Sequence, residues 1–523
     1  RFYKDQTPVE YLAEFLLVFA SPKGPTPDAA AAGDHAFSFS IGKGSAPALY
    51  WPKDRVALKL LAFFPNSKLD TRHAAHQEAY RDALKTLGAH IEAGDTEKEE
   101  TIRLQQSLFS GFVGVAKTRT WVTQSFLPAS HALLAREVTW NHQAAIRNAQ
   151  GKDTEDWGEM RSYFDSGTHN FMGRGGELLF LQLAQLAHEH VETPISELLP
   201  GHISEFARKL TIRELLNCLQ RGLRELLATA IAPVAELAGF CETLLDRYQI
   251  DSEIITPAKL GWVPRASIPE ATLFGIEATN ICSAESSPLE KITNLQTLCT
   301  MHVLRSLCFQ AVRALRTSGL NQAEEGSDLS GTFGNYSWVC ADPTVASTHP
   351  AGKLGQRSME QIEGILYRSI RLPQLRQYSQ NEDQYKKGLK NGDDNCFRLL
   401  RKFGKDLGLV VPRTGKGQRF VLPPRLVHFL VIALIEPGGR VPLDTFYERV
   451  FAHYGIALGP RQLAAALAQH GDGGSAHHEY AVAADTRWIE ETLRQGDFLV
   501  ELSDAVSIVR NPAARLEASD GNN

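Results

Sequence analysis

Arg398, Arg401, Lys402 and Lys405 recur at i, i+3, i+4 and i+7, the spacing that puts four cations on one face of a helix. Arg413, Lys416 and Arg419 follow within a short glycine-bearing turn, close enough in sequence to extend the same surface. Guanidinium and ammonium groups at this spacing hold phosphates; without a base or nucleophile among them they do not break bonds. The stretch Arg368–Arg425 carries fourteen Lys/Arg against five acids, a net +9 in a chain of −5, so the remainder sums to −14. A local field of that sign attracts a polyanion or an acidic protein face, and salt screens it. The same pattern also suits a solvated face whose long stems cover apolar neighbours.

Other chemistry-bearing residues fall short of a site. Gly42-Lys43-Gly44-Ser45 and Gly415-Lys416-Gly417 lack the G-x-x-x-x-G-K-[ST] frame that wraps a nucleotide phosphate, so nucleotide hydrolysis is not expected. Arg174-Gly175-Gly176 precedes a helix near Glu177, where free amides and the helix dipole could hold an anion. A glycine pair there equally permits close helix packing. His188 and His190 face different ways on a helix. His73 and His76 share a face but have no third ligand nearby. Asp251, Glu253 and Lys259 are misplaced for a magnesium nuclease core, and Pro257 interrupts the strand that would align them. No G-x-S-x-G elbow supports a serine triad. These negatives point away from an enzyme, and no cofactor or metal is implied.

The elements that must position the cations form an α+β, mostly helical chain. Residues 1–128 read as a mixed α/β domain, with β-like runs at Ala36–Ile41, Ala48–Trp51, Val56–Phe64, Phe109–Lys117 and Thr120–Phe126 around a helix at Arg72–His90. Residues 129–330 form a helical block, with helices expected at Glu177–Glu189, Ile195–Lys209, Thr211–Ala228, Ile231–Tyr248 and Leu289–Arg316. Thr211 and Glu214 fit a capping box. The Pro- and Gly-rich segment Asp251–Glu277 reads as a loop. Residues 331–394 read as a linker with a helix.

Residues 395–512 are expected to form a basic, winged-helix-like unit, before a disordered tail at 513–523. It should contain a helix Cys396–Leu407 ended by Gly408, β-like runs Leu409–Val411 and Gln418–Leu422, and an apolar buried helix Pro424–Ile435. Helices Pro442–Tyr454, Pro460–Ala468 and Arg487–Arg494 come next, and a hairpin Phe498–Leu502/Val506–Val509 closes the unit.

At 523 residues the chain needs more than one core. Its 43% hydrophobic and 22% charged residues are ordinary for a globular protein, and no apolar run approaches a membrane span. The first residues, Arg1-Phe2-Tyr3-Lys4-Asp5, show no signal-peptide pattern. Seven cysteines at irregular spacing form no C-x-x-C pair, which suits reduced, buried thiols in a cytoplasm.

Arg174-Gly175-Gly176-Glu177-Leu178-Leu179-Phe180-Leu181 and Leu407-Gly408-Leu409-Val410-Val411-Pro412-Arg413 resemble segments of uncharacterised bacterial proteins encoded beside anti-phage defence genes. Arg419–Pro423, Phe446–Arg449 and Tyr454–Pro460 add to the resemblance. The similarity covers about a third of the chain, and its motifs carry no mechanistic signature. It implies a subunit of a multi-protein defence machine working with a separately encoded ATPase or nuclease.

The sequence thus reads as a non-enzymatic, DNA-associated subunit. It would bind DNA without regard to sequence through the C-terminal cations, and partner proteins through the helical body, with no membrane contact. The rivals are a diverged metal-dependent nuclease and a scaffold whose basic face meets an acidic protein. Because neither the cysteines nor the histidines supply a closed four-ligand set, elemental analysis should find no stoichiometric zinc. About one zinc per chain would overturn that expectation.

Overall fold

A computed structural model of the chain describes residues 6–26, 28, 30, 35–41, 49–52, 54–56, 94, 96–102, 136–140, 164–165, 175–199, 205–228, 258–260, 267–318, 335–469, 485–503 and 506–512. The fold is α+β and mostly helical. Contacts group the chain into two compact units: Asp5–Leu181 with Arg224–Gly261, and Gln182–Leu223 with Trp262–Asn523.

The first unit opens on α1 (Pro8–Ala20). Thr7 and Glu10 cap each other: the Glu10 amide donates to Thr7 Oγ1 at 3.3 Å and the Thr7 amide to Glu10 Oε2 at 2.5 Å. Every residue of α1 from Glu10 to Phe19 is buried. Such a helix lacks the polar stripe that gives amphipathic helices their periodic signature, and sequence analysis did not anticipate it. Lys23 closes its C-terminus, donating from Nζ to the carbonyls of Phe19 (3.1 Å), Ser21 (3.0 Å) and His35 (3.0 Å).

Where a strand was expected at Ala36–Ile41, the described residues turn and bend. Phe39 inserts between the Phe19 and Phe180 rings, at 5.2 and 5.7 Å. The strands of this unit are short: β1 (Leu49–Tyr50), β2 (Asp54–Val56), β3 (Arg136–Trp140), β4 (Phe164–Asp165) and β5 (Ala258–Lys259). β2 runs parallel to β3, β3 antiparallel to β4, and β1 antiparallel to β5. Helix α2 (Gly175–Glu189) contributes its first turns, to Leu181. The expected helices Arg72–His90 and Ile231–Tyr248, the runs Phe109–Lys117 and Thr120–Phe126, most of Val56–Phe64 and the tail 513–523 lie outside the described residues.

In the second unit the expected helix Ile195–Lys209 is instead two short ones, α3 (Ile195–Leu198) and α4 (Glu205–Arg208). The sequence between them holds Pro200, which removes a helix donor, and Gly201. α5 (Ile212–Ala228) starts at the anticipated capping box, with the Glu214 amide donating to Thr211 Oγ1 at 3.3 Å and the Thr211 amide to Glu214 Oε2 at 2.8 Å.

The largest departure is α6 (Ile268–Ser283), which occupies the C-terminal part of the segment expected to be a loop. Pro269 sits in its first turn, where a missing N–H costs nothing, so this proline marks a helix start. α7 (Pro288–Thr317), 30 residues long, packs on α6 and on α8 (Pro350–Ser369) and α9 (Glu382–Leu407). The expected linker is therefore largely helix. β6 (Trp338–Val339) pairs in parallel with β10 (Ile456–Ala457), and Trp338 stacks on Phe420 at 5.1 Å. Those contacts draw residues 335–341 into the same core as the C-terminal helices.

β7 (Val410–Val411) and β8 (Arg419–Phe420) form the expected hairpin after Gly408, whose φ of 74° ends α9 as only glycine does cheaply. α10 (Pro424–Leu434) is the expected apolar, buried helix. Side chains from three elements satisfy its last carbonyls: Asn280 Nδ2 donates to Ala433 O (2.8 Å), Arg449 Nη1 to Leu434 O (2.9 Å) and Asn511 Nδ2 to Ile435 O (2.8 Å). Then come β9 (Arg440–Pro442), α11 (Leu443–Tyr454), α12 (Pro460–Gln469), α13 (Arg487–Gln495), β11 (Leu499–Ser503) and β12 (Val506–Arg510). α11 and α13 pack on α10, and the antiparallel sheet runs β11–β12–β9, so the closing hairpin pairs back onto the short strand before α11.

A buried polar cluster ties α6, α7 and α11 together. Arg305 donates from Nη1 to Glu277 Oε1 (2.7 Å) and from Nη2 to Glu277 Oε2 (3.0 Å), with both side chains 0% exposed. His453 Nδ1–H donates to Glu277 Oε1 at 2.7 Å, and Arg305 Nη1 also reaches the His453 carbonyl at 3.2 Å. Arg305 Nη2 meets His302 Nδ1 at 2.7 Å, so that nitrogen accepts and Nε2–H donates to Gln182 Oε1 at 2.7 Å. Burial, reinforced by the Arg305 charge, holds His302 well below its usual value near 6.5. Burial holds His453 down too, against the opposing pull of Glu277. For Glu277 burial acts to raise the carboxyl, but Arg305 and the hydrogen bonds from His453 and Arg305 outweigh it and hold it low.

The sign of the pH dependence follows. Below about pH 6.5 the unfolded chain protonates both histidines while the fold keeps them neutral, so stability falls at up to about 1.4 kcal/mol per pH unit for each. The Glu277 contribution, present above its unfolded value, is lost only at still lower pH. Glu277→Ala strands the Arg305 charge and should cost about 3–5 kcal/mol. Urea midpoints at pH 7.5 and 5.5 check both expectations. A variant as stable as the wild type, or a wild type with equal midpoints, would contradict them.

Candidate nucleic-acid interface

α9 begins at Asn381, whose Oδ1 accepts the Gln384 amide at 2.8 Å, and Glu382 and Asp383 sit in its first turn. The helix is therefore 26 residues long and starts well before the expected Cys396. Its buried positions, Leu399, Leu400, Phe403, Gly404 and Leu407, all lie in the C-terminal half. Residues 382–395 stand exposed or half-exposed on every side.

The opposite face carries Lys387, Lys390, Arg398, Arg401 and Lys405 in one row, with Lys402 beside it and Asp394 within it. From Lys387 to Lys405 the row is about 27 Å long. The sequence reading identified only the last turns of it. The missed signal was the Asn381–Glu382–Asp383 helix start.

The individual cations differ in what they already hold. Arg401 forks onto Glu363 of α8, Nε to Oε1 at 2.8 Å and Nη2 to Oε2 at 3.0 Å. Arg398 meets Asp394 at 2.8 Å one turn back, with 66% of its side chain still exposed. Lys402 packs along Phe403, Nζ 6.0 Å from the ring centroid. Arg413 reaches from the hairpin turn to the Lys405 carbonyl at 3.2 Å, and Arg425 donates from Nε to the Leu407 carbonyl at 3.0 Å and from Nη2 to that of Asp406. Both thereby cover the negative end of α9.

Arg419 is buried, and its Nη2 donates to the Val345 carbonyl at 2.6 Å. It braces β8 and does not reach solvent with the others. Among the described residues no ion pair engages Lys386, Lys387, Lys390, Lys405 or Lys416, and all but the half-exposed Lys405 are exposed.

Helix α13 is electrically self-contained by comparison. On α13 Arg487 pairs with Asp485 at 2.5 Å, and Arg494 pairs with Glu491 at 2.5 Å and with Glu501. Positive charge is left over on α9 and the β7–β8 turn, not on α13.

The glycine pair that opens α2 has its own anion. The Gly176 amide donates to Glu14 Oε2 at 2.6 Å and the Gly175 amide to Gln6 Oε1 at 3.0 Å, all buried. A Cβ on Gly176 would lie 2.3 Å from the Tyr11 carbonyl oxygen and 2.6 Å from the Phe15 nitrogen. The pair thus lets α2 approach α1 and holds an internal carboxylate. Arg174 lies outside the described residues.

Among the described residues no group of three or more His, Cys, Asp or Glu is arranged to hold a metal ion. The six described cysteines are free, and burial pushes the Cys308 thiol up to about 12. Among those residues no helix is long and apolar enough to cross a membrane. Comparison with known proteins returned no matching family model, curated protein or solved structure.

Gly176→Ala should destabilise the protein by about 1–3 kcal/mol, because backbone atoms leave its methyl group no room. A melting temperature unchanged from wild type would remove the packing argument.

Proposed function

We propose that this protein is a non-enzymatic, DNA-associated subunit of a multi-protein bacterial anti-phage defence complex, acting in the cytoplasm. The observation that carries the nucleic-acid part is the row on α9: cations outnumber acids, and among the described residues Lys387, Lys390 and Lys405 have no carboxylate partner. Lys387 and Lys390 at one end of about 27 Å of helix and Lys405 at the other, with the paired Arg398 and Arg401 between them, suit the phosphates of a nucleic-acid backbone and carry no base information.

The order α10–β9–α11–β10–α12–α13–β11–β12, with β12 between β9 and β11, supports a winged-helix-like reading of the C-terminal unit. Its α13 charges are spent on neighbouring acids, so contact with DNA falls to α9 and the β7–β8 turn. Assignment to a defence complex, and to partners that include a separately encoded ATPase or nuclease, rests on the sequence resemblance alone.

The Glu363 and Asp394 pairs favour one rival, a scaffold whose basic face receives acidic side chains of a partner. Lys387 and Lys416 are exposed and take part in no ion pair among the described residues, so exchanging both for Glu should leave the melting temperature unchanged. It should weaken duplex binding by about tenfold or more, and wild-type affinity should fall steeply between low and physiological salt. Fluorescence anisotropy with a labelled duplex of arbitrary sequence reads both. Equal affinity of variant and wild type would hand the face to a protein partner, and magnesium-dependent cleavage of the duplex would make the protein a nuclease.

A further inference from the structure

Between α8 and the middle of α9 lies an open groove of about 730 Å3, within the range of small-molecule sites. Three acids line it, and each is already committed. Glu363 is held by Arg401, and Asp394 by Arg398. Asp393 is forked by Arg371, Nη1 to Oδ1 at 2.8 Å and Nη2 to Oδ2 at 2.7 Å. Two cations on the rim, Arg368 at the end of α8 and Lys390 on α9, take part in no ion pair among the described residues. The groove therefore keeps positive charge after its internal pairs are counted.

It also offers aromatic surface. Tyr367 is 51% exposed, and the Arg371 guanidinium stacks on its ring at 3.6 Å from the centroid. Arg371 is in turn fixed by Asp393, so the ring is held in place while much of it stays open to solvent. Phe397 lines the α9 side of the groove. A ring of set orientation beside unpaired cations suits an unstacked base and its flanking phosphate, and every base has a face to offer. A paired base inside a duplex does not present that face.

We infer that the α8–α9 groove binds a single-stranded nucleic acid, one base stacking on Tyr367 while Arg368 and Lys390 hold the adjacent phosphates. The inference rests on the reading of α9 as a nucleic-acid face and adds the class of strand. The cation row would then track the backbone while the groove takes up an unpaired base, so the chain would favour frayed, looped or unwound nucleic acid.

The experiment compares a labelled single strand, the same strand with abasic sites, and a duplex, using the full chain and anisotropy. The wild type should bind the intact single strand about tenfold more tightly than the abasic one. Tyr367→Ala should lose that advantage, Tyr367→Trp should keep it, and neither should alter duplex affinity. Arg368→Gln with Lys390→Gln should weaken intact and abasic strands alike. Melting curves of the Arg368 and Lys390 variant should match the wild type, since these side chains face solvent, and that of Tyr367→Trp should too, since it keeps a ring for Arg371 to stack on.

Equal binding of intact and abasic strands by the wild type, or no effect of Tyr367→Ala, would overturn the groove while leaving the α9 reading intact if duplex binding persists. Competition by a free nucleoside monophosphate at the same concentration as the strand would overturn the strand in favour of a nucleotide. No binding of any nucleic acid by the wild type would overturn both readings.

Discussion

The second unit depends on how Glu277 and Arg305 neutralise each other in the dry interior. Removing two charges from water is costly, and their mutual attraction offsets that cost only when geometry is close and the remaining hydrogen-bonding capacity is used. Here the fork between the two groups, the His453 donor and the His302 acceptor meet most of that requirement. The cluster draws Glu277 from α6, Arg305 and His302 from α7 and His453 from α11, so it specifies which helices must be neighbours. Apolar packing alone would tolerate sliding between them.

That constraint reaches the surface through α7. α9 packs against α7 with the apolar side of its C-terminal half, which turns the opposite side, with its cations, toward water. Arg401–Glu363 ties α9 to α8, and Arg371–Asp393 ties the end of α8 to the middle of α9. These partly exposed pairs contribute little to stability. Their effect is electrostatic: they consume the acids that would otherwise cancel Arg368 and Lys390.

In the first unit the same electrostatic rule acts inward. The N-terminal amides of α2, open to an external anion on sequence grounds, receive the Glu14 carboxylate of α1. Lys23 closes the other end of α1 with three carbonyl contacts. Burial pushes Lys23 down to about 7, yet every one of its donors is satisfied, which suits a structural cap.

Local chemistry by itself determined the features that depend on a few neighbouring residues. The Thr211–Glu214 box, the Gly408 helix end, the β7–β8 hairpin, the buried α10 and the C-terminal hairpin are all of that kind. The four-cation spacing of Arg398 to Lys405 was legible for the same reason.

Tertiary structure decided what depends on distant partners. α1 and α6 are wrapped by other elements and lack the polar stripe that reveals an exposed helix, although Thr7–Glu10 and Pro269 mark their starts. The seven candidate cations looked alike in sequence, and only packing separated buried Arg419 and tethered Arg401 from open Lys416. Lys387 and Lys390 joined the row once α9 proved continuous from Glu382. The groove beside Tyr367 was invisible in sequence, because it lies between side chains some thirty residues apart in α8 and α9 that only the packing of those helices brings together.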